Sequence, residues 1–389
     1  EESKSGGGRK FAAGTVTQTP AITANHKVWV VLVSPNKGSR NATVQTDAHA
    51  KSLVQWADDY WNDQSSGKVG FSHAGTVAWY KSSFGCKTRA DWVALWNQAA
   101  PKAEKLGFGW ERNQHVMLLF PPSAACGDPI GLATIGWSVN QGGFSWIKGG
   151  SDLSLRRATT AHELGHNLSL GHADWLRCAA AKPAVGAAQA KYETSTTLPG
   201  ITGCTVELYG DLVDVMGFGA NGFSGGNLAS VQAIRSGLWS ADSYETATAG
   251  THSYVIQPIS SGAGVRAIVV PAPDGTNYFI EYRDFTGRDA QYSALGCSPG
   301  NGWCVDGPNA PLNDHGVRIL RMEPSGYSGA DGVEPGYQGL PGYDSYVIGH
   351  HSSEILWDQA DGAYSPSPDI TITVLSVGAT ATVEVSRAS

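Results

Sequence analysis

The sequence predicts an α/β domain over residues 26–247, then an all-β sandwich domain over 248–389, with a flexible arm, 1–25, in front. Three observations predict it. In the first half, apolar β-branched runs alternate with amphipathic helical stretches. A helix bearing HELGHNLSLGH, residues 162–172, closes that pattern. From about residue 250, β-forming segments recur between Gly, Pro and Asp turns at the spacing of a sandwich.

The elements follow in order. The arm is polar and small, with GGG before Arg9 and Lys10, and has no sustained periodicity. A chain that starts at Glu1 without a leader is expected to be a processed or trimmed form. KVWVVLVSP (27–35) is an apolar run stopped by Pro35 and Asn36, hence a buried strand. Across 46–61, Ala50, Leu53, Val54, Trp56, Ala57, Tyr60 and Trp61 recur at three and four, which predicts a helix. A second extended segment (67–82), a helix (89–106) and the strand HVMLLFPP (115–122) come next. GLATIGWS (131–138) and GFSWIKG (143–149) read as two strands joined by a turn. The motif helix then starts near Ser151 or Asp152, both good caps, and runs to Leu168. Ala161, Leu164 and Leu168 form its back face, which should seat on a twisted mixed sheet.

A chain of 389 residues, 41% hydrophobic with 13 Trp, can bury a sizeable core in each domain. The net charge of −7 and the lack of a Lys/Arg cluster argue against nucleic acid or an anionic membrane as partner. No apolar run nears the roughly 18 residues of a membrane span. The six cysteines form no C-x-x-C pair, and an even count suits three disulfides in an exported protein. Nearest neighbours are expected to pair: Cys86 with Cys126, Cys178 with Cys204, Cys297 with Cys304.

The chemistry concentrates in residues 162–172. His162 and His166 leave one helix face a turn apart and can close on a single ion. His172 would complete three protein ligands if the helix ends and the chain folds back, leaving a fourth position for water. Glu163 lies about 100° round the helix from His162, within reach of that water, and is the candidate general base. The ion expected is Zn2+. Further on, Met216, one of three methionines, falls in YGDLVDVMGFG (209–219) between Asp214 and Gly217; taken alone it would read as a core-filling side chain.

Taken together, HELGHNLSLGHAD, YGDLVDVMG and a later SGLW (236–239) resemble a metzincin zinc endopeptidase, most closely the gametolysin family. The resemblance implies a metzincin-like catalytic domain, His162, His166 and His172 as zinc ligands, Glu163 as base, and Met216 as an apolar floor under the metal. It implies that the edge strand beginning Gly131, Leu132, Ala133 and Thr134 pairs with an extended peptide, and that Phe218 and Gly219 help wall the pocket beside the scissile bond. It also implies a secreted, monomeric endopeptidase whose partners are protein or peptide substrates. Two positions depart from the family pattern. Ser169 stands where a Gly turns the chain toward the third ligand, with Asp174 the nearest substitute should that turn fail. Phe218 stands where some metzincins carry a tyrosine ligand, so none is expected here.

Beyond 250, the segment YFIEYRD (278–284) resembles a strand of the same family and suggests a structural or substrate-positioning role without a mechanism. His350, His351 and Asp344 read as surface polar residues, and no D-x-D-x-D-G run suggests calcium. The rival readings are a substrate- or glycan-binding protein with a vestigial zinc site, and a zinc hydrolase of another amide or acyl bond. An intact Glu163 speaks against the first.

Overall fold

Alternation of buried side chains in β1 (Asn25–Ser34) sets the first layer. Val28, Val30 and Leu32 point into one core, while Trp29, Val31 and Val33 point into another. A strand buried on both faces belongs inside a sheet covered on both sides. A computed structural model of the chain describes residues 22, 25–127, 129–136, 138–150, 152–178, 193–194, 204–207, 209–211, 213–217, 225–292, 315–322, 345–348 and 359–388. The expected arm lies almost wholly outside these residues, as do Ser151, Cys297, Cys304, Asp344, His350 and His351.

After β1 come α1 (Asp47–Gln64), β2 (Gly70–Lys81), α2 (Arg89–Glu104), β3 (Gln114–Leu119), β4 (Gly131–Ala133), β5 (Gly143–Ile147) and α3 (Leu153–Asn167). Each of these three helices begins on a side-chain cap. Thr46 accepts from the His49 amide, Thr88 forms a capping box with Asp91, and Asp152 accepts from Ser154 and Leu155. The strands lie in the order β2, β1, β3, β5, β4, parallel except for β4, which runs antiparallel to β5 at the sheet edge. One face, with Met117, Leu119 and Ile147, meets α1 and α3; the other, with Val116, Leu118 and Trp146, meets α2. Trp61 of α1 donates its indole N–H to the Ala161 carbonyl (3.1 Å), which fixes the two helices against each other. Cys86 and Cys126 form a disulfide, as expected.

Past α3 the chain enters a second sheet. It holds β6 (Ala173–Cys178), β7 (Glu193–Thr194), β8 (Cys204–Glu207), β9 (Tyr244–Thr246), β11 (Ala267–Pro271), β12 (Asn277–Arg283), β13 (Gly316–Met322) and β14 (Ser345–Ile348). Their spatial order is β7, β8, β6, β14, β13, β12, β11, β9. Cys178 and Cys204 stand opposite each other across β6 and β8. A third sheet, of β10 (Gly250–Ile256), β15 (Ala363–Ser367), β16 (Ile370–Ser376) and β17 (Ala381–Arg387), packs on one face of the second. Ile268, Val270, Ile280, Val317 and Ile319 fill that interface with Ile372, Val383 and Val385.

The opposite face of the eight-stranded sheet sends Ala267, Val269, Phe279 and Leu320 into the core that also contains α1, α3 and Met216. The expected boundary at 247/248 therefore divides no core: β6, β7, β8 and β9 precede it, β11 to β14 follow it, and all eight strands share one sheet. The physical reason is β6, which follows the motif helix and pairs in parallel with β14. The architecture is mixed α/β with three sheets and few helices among the described residues. No described helix is long and apolar enough to cross a membrane.

Candidate active site

The three motif histidines converge. One ring nitrogen of each of His162, His166 and His172 lies within 4.8 Å of the others, the one such group of potential ligands among the described residues. Zn–N bonds of about 2.05 Å in a tetrahedron place nitrogens about 3.4 Å apart, so small ring rotations bring this set to bonding geometry. Two of the rings are aimed by backbone acceptors. His162 Nδ1 bonds the Val215 carbonyl and His166 Nδ1 the Leu170 carbonyl, each at 2.8 Å. With Nδ1–H committed, Nε2 is the nitrogen left to bind an ion. Burial, then the His172 ring, pushes His162 down to about 3; burial and the other two rings hold His166 well below its ordinary value. Both are neutral donors at neutral pH. The donor set fits zinc.

The route to His172 depends on how α3 ends. Ser169 has φ 76°, the left-handed conformation that usually belongs to Gly. Its N–H bonds the His166 carbonyl (2.9 Å), and the Leu170 N–H reaches back to Gly165 (3.0 Å). This is a Schellman closure with Ser in the place of Gly. Arg235 holds the Ser169 carbonyl at 2.6 Å. The turn therefore forms, and Asp174 is not the third donor: it is buried, and its Oδ1 accepts from the Tyr209 N–H at 2.7 Å.

Met216 is fully buried beneath the helix. A Cβ on Gly165 would come within 2.6 Å of Met216 Sδ and 2.9 Å of Trp61, so a side chain at 165 would push the helix off this floor. Ala173, next to His172, is stitched to the same turn: its N–H bonds Met216 O (3.0 Å) and its carbonyl accepts from the Asp211 N–H (3.1 Å).

Glu163 is buried and faces the sheet edge. A Cβ on Gly131 would sit 2.3 Å from Glu163 Oε1, so the carboxylate lies against the bare backbone of β4. Lys148 N–H bonds Ile130 O (2.8 Å) and Thr134 N–H bonds Phe144 O (2.9 Å). By the two-residue alternation of an antiparallel pair, Leu132 also faces β5, and Gly131 and Ala133 turn their backbone groups outward. Leu132 and Phe144 both pack against the core on the α2 side. Phe218 and Gly219, expected to wall a pocket, lie outside the described residues.

Three groups at the site escape sequence reasoning. Asn167, the last residue of α3, donates from Nδ2 to the Thr134 carbonyl (2.7 Å) and accepts from His115 Nδ1 (2.9 Å), tying the end of the motif helix to the edge strand. Its one signal is a poor helix former in the last turn of a helix otherwise rich in helix formers. The Tyr209 ring lies 4.1 Å from the His172 ring, placed by a left-handed backbone (φ 60°). Asp211 and Asp214 brace the turn around Met216 from behind, Asp214 accepting from the Met216 N–H at 2.6 Å. Compared with known proteins, the chain matches no family model and no curated sequence.

Proposed function

We propose that this chain is a secreted, metzincin-like zinc endopeptidase of the gametolysin type, acting on protein or peptide substrates as a monomer. One observation carries the reading: three inward-facing histidines and a buried carboxylate, Glu163, meet at a sheet edge whose backbone is open to pairing. His162, His166 and His172 would hold the ion. When bound, zinc would polarise the scissile carbonyl and make an attacking water more acidic. Glu163 is set to accept the proton of that water and hand it to the leaving amine. Gly131 and Ala133 align an extended peptide by backbone pairing, so a bond of any sequence can be presented beside Glu163. The Cys86–Cys126 disulfide supports an oxidising compartment.

The test is digestion of a denatured protein and of a peptide mixture, with metal content measured in parallel. About one zinc per chain is expected, with cleavage lost to a chelator and restored by Zn2+. Glu163→Gln should keep the metal and lose about 100- to 10,000-fold in rate. A Glu163→Gln protein that cleaves at the unaltered rate, or a zinc-loaded chain that cleaves nothing, ends the reading.

A further inference from the structure

The face of the eight-stranded sheet turned toward the histidines carries charges where apolar residues would be expected. On β12, Glu281 and Arg283 share the face of Phe279; on β13, Arg318 shares that of Leu320, directly opposite Glu281. All three are fully buried, with Asp211 and Asp214 of the Met216 turn and with Asp289. Arg318 bonds both Asp211 Oδ2 and Glu281 Oε1. Arg283 bonds Glu281 (2.9 Å), Asp289 (2.7 Å) and the Asn227 carbonyl (3.0 Å). The Ser230 N–H bonds Glu281 Oε2 at 2.7 Å, and the Ala229 N–H bonds Asp214 Oδ2. Burial alone would raise Glu281, but the Arg283 and Arg318 guanidiniums hold its carboxyl below the ordinary range.

Such a network is a poor source of stability, since desolvating the charges offsets most of their attraction, and apolar side chains of similar volume would serve as well. What guanidinium–carboxylate pairs supply is fixed direction. The direction here ends on two ligands. Asp211 and Asp214 shape the turn; Val215, between Asp214 and Met216, carries the carbonyl that aims His162 Nδ1. Asp211 N–H and Met216 O clamp Ala173, the residue after His172.

We infer that Arg318 and Glu281 are positioning residues of the metal centre: strands β12 and β13 hold, through Asp211 and the Val215 carbonyl, the orientation of the His162 and His172 rings. The inference rests on the zinc-site reading above, and it gives YFIEYRD the mechanism that its sequence alone does not.

The test is Co2+ binding, followed by chelator competition and by the visible absorption band of the bound ion. The proteins compared are the unaltered chain, Arg318→Lys, Glu281→Gln and Val383→Ala. Val383 lies in the core between the second and third sheets, on the other face of the sheet, so its truncation reports lost stability alone. Arg318→Lys is expected to bind Co2+ about 10- to 100-fold more weakly, the range for a residue that orients a ligand, with a changed band. Glu281→Gln, which keeps the side-chain shape, should move the same way by a smaller factor, and decides the matter if Arg318→Lys does not fold. Val383→Ala should keep the unaltered affinity and spectrum despite a lower Tm. Unaltered affinity and band in both charge variants overturn the inference and leave the zinc-site reading standing. An unaltered chain that binds no Co2+ overturns both.

Discussion

Acid should weaken this fold through two rings outside the histidine cluster. His26 on β1 and His115 on β3 are fully buried; His26 Nδ1 lies 2.7 Å from His115 Nε2, and His115 Nδ1 lies 2.9 Å from Asn167 Oδ1. Because Asn167 Nδ2 donates to the Thr134 carbonyl, its Oδ1 is the acceptor and His115 carries a proton on Nδ1. His115 Nε2 then accepts from His26 Nδ1, and both rings are neutral. Burial pushes His115 down to about 4; burial, and then the His115 ring, push His26 to about 2. The unfolded chain takes up these protons near pH 6.5, so below that pH it binds more of them than the fold does. Stability is complete above about 6.5 and falls as the pH drops toward 4. Between pH 7.5 and 5.0, linkage gives a loss of about 2 kcal/mol for each ring, a large share of a typical total of about 5–15 kcal/mol. Urea unfolding at both pH values isolates the effect when the unaltered chain is compared with His26→Asn, whose amide can still donate toward His115. Every other acid titration is common to the two proteins. The loss on acidification should be about 2 kcal/mol smaller in His26→Asn; equal losses would mean that the pair does not titrate on unfolding.

Three further outcomes follow from single contacts. Asn167→Ala leaves the Thr134 carbonyl and His115 Nδ1 without their partner, so a loss of about 2–5 kcal/mol in urea is expected, with KM for a peptide raised more than kcat is lowered. Ser169→Gly relieves a left-handed residue, worth about 1–2 kcal/mol, against roughly 0.5–1 kcal/mol of extra unfolded-state entropy; the net is a stabilisation of up to about 1.5 kcal/mol, read as a rise in Tm. Replacing Cys86 and Cys126 by Ser frees a loop spanning 40 residues, and loop entropy predicts a loss of about 4 kcal/mol, measured by denaturant unfolding.

What was legible in the sequence was what short periods encode. The helices α1 and α3, the Asp152 cap of α3, and the β-forming segments after 250 announce themselves within about twenty residues, and α1, α3, that cap and strands β10 to β17 are present among the described residues. The histidine spacing is equally local, which is why His162, His166 and His172 could be named and are found together. The rest depends on partners far apart in the chain. Asn167 reaches His115 across 52 positions, and Asp211 reaches Arg318 across 107. A buried arginine reads as a surface residue until its carboxylates are known, so Glu281, Arg283 and Arg318 left no trace beyond an odd strand. The shared sheet was illegible for the same reason: nothing local says that β6 pairs with β14.

That pairing changes what the motif means. His172 stands where the chain passes from α3 into β6, and β6 is held between β8 and β14. The edge strand is fixed separately, by Asn167 and by the Gly136 N–H on the His166 carbonyl, which bind its following loop to the end of the same helix. A chain cut at 247 would keep HELGHNLSLGH and the turn around Met216, yet lose β14 beside β6 and both Arg318 and Glu281 behind Asp211. Asp211 and Asp214 would be left as two neighbouring carboxylates without those cations, and burial, then Asp211, already holds the Asp214 carboxyl above its ordinary range even with Arg283 present. Like charges so close disfavour the turn that aims His162. The histidine spacing makes a metal site available; the strands contributed by the last third of the chain hold it in working shape.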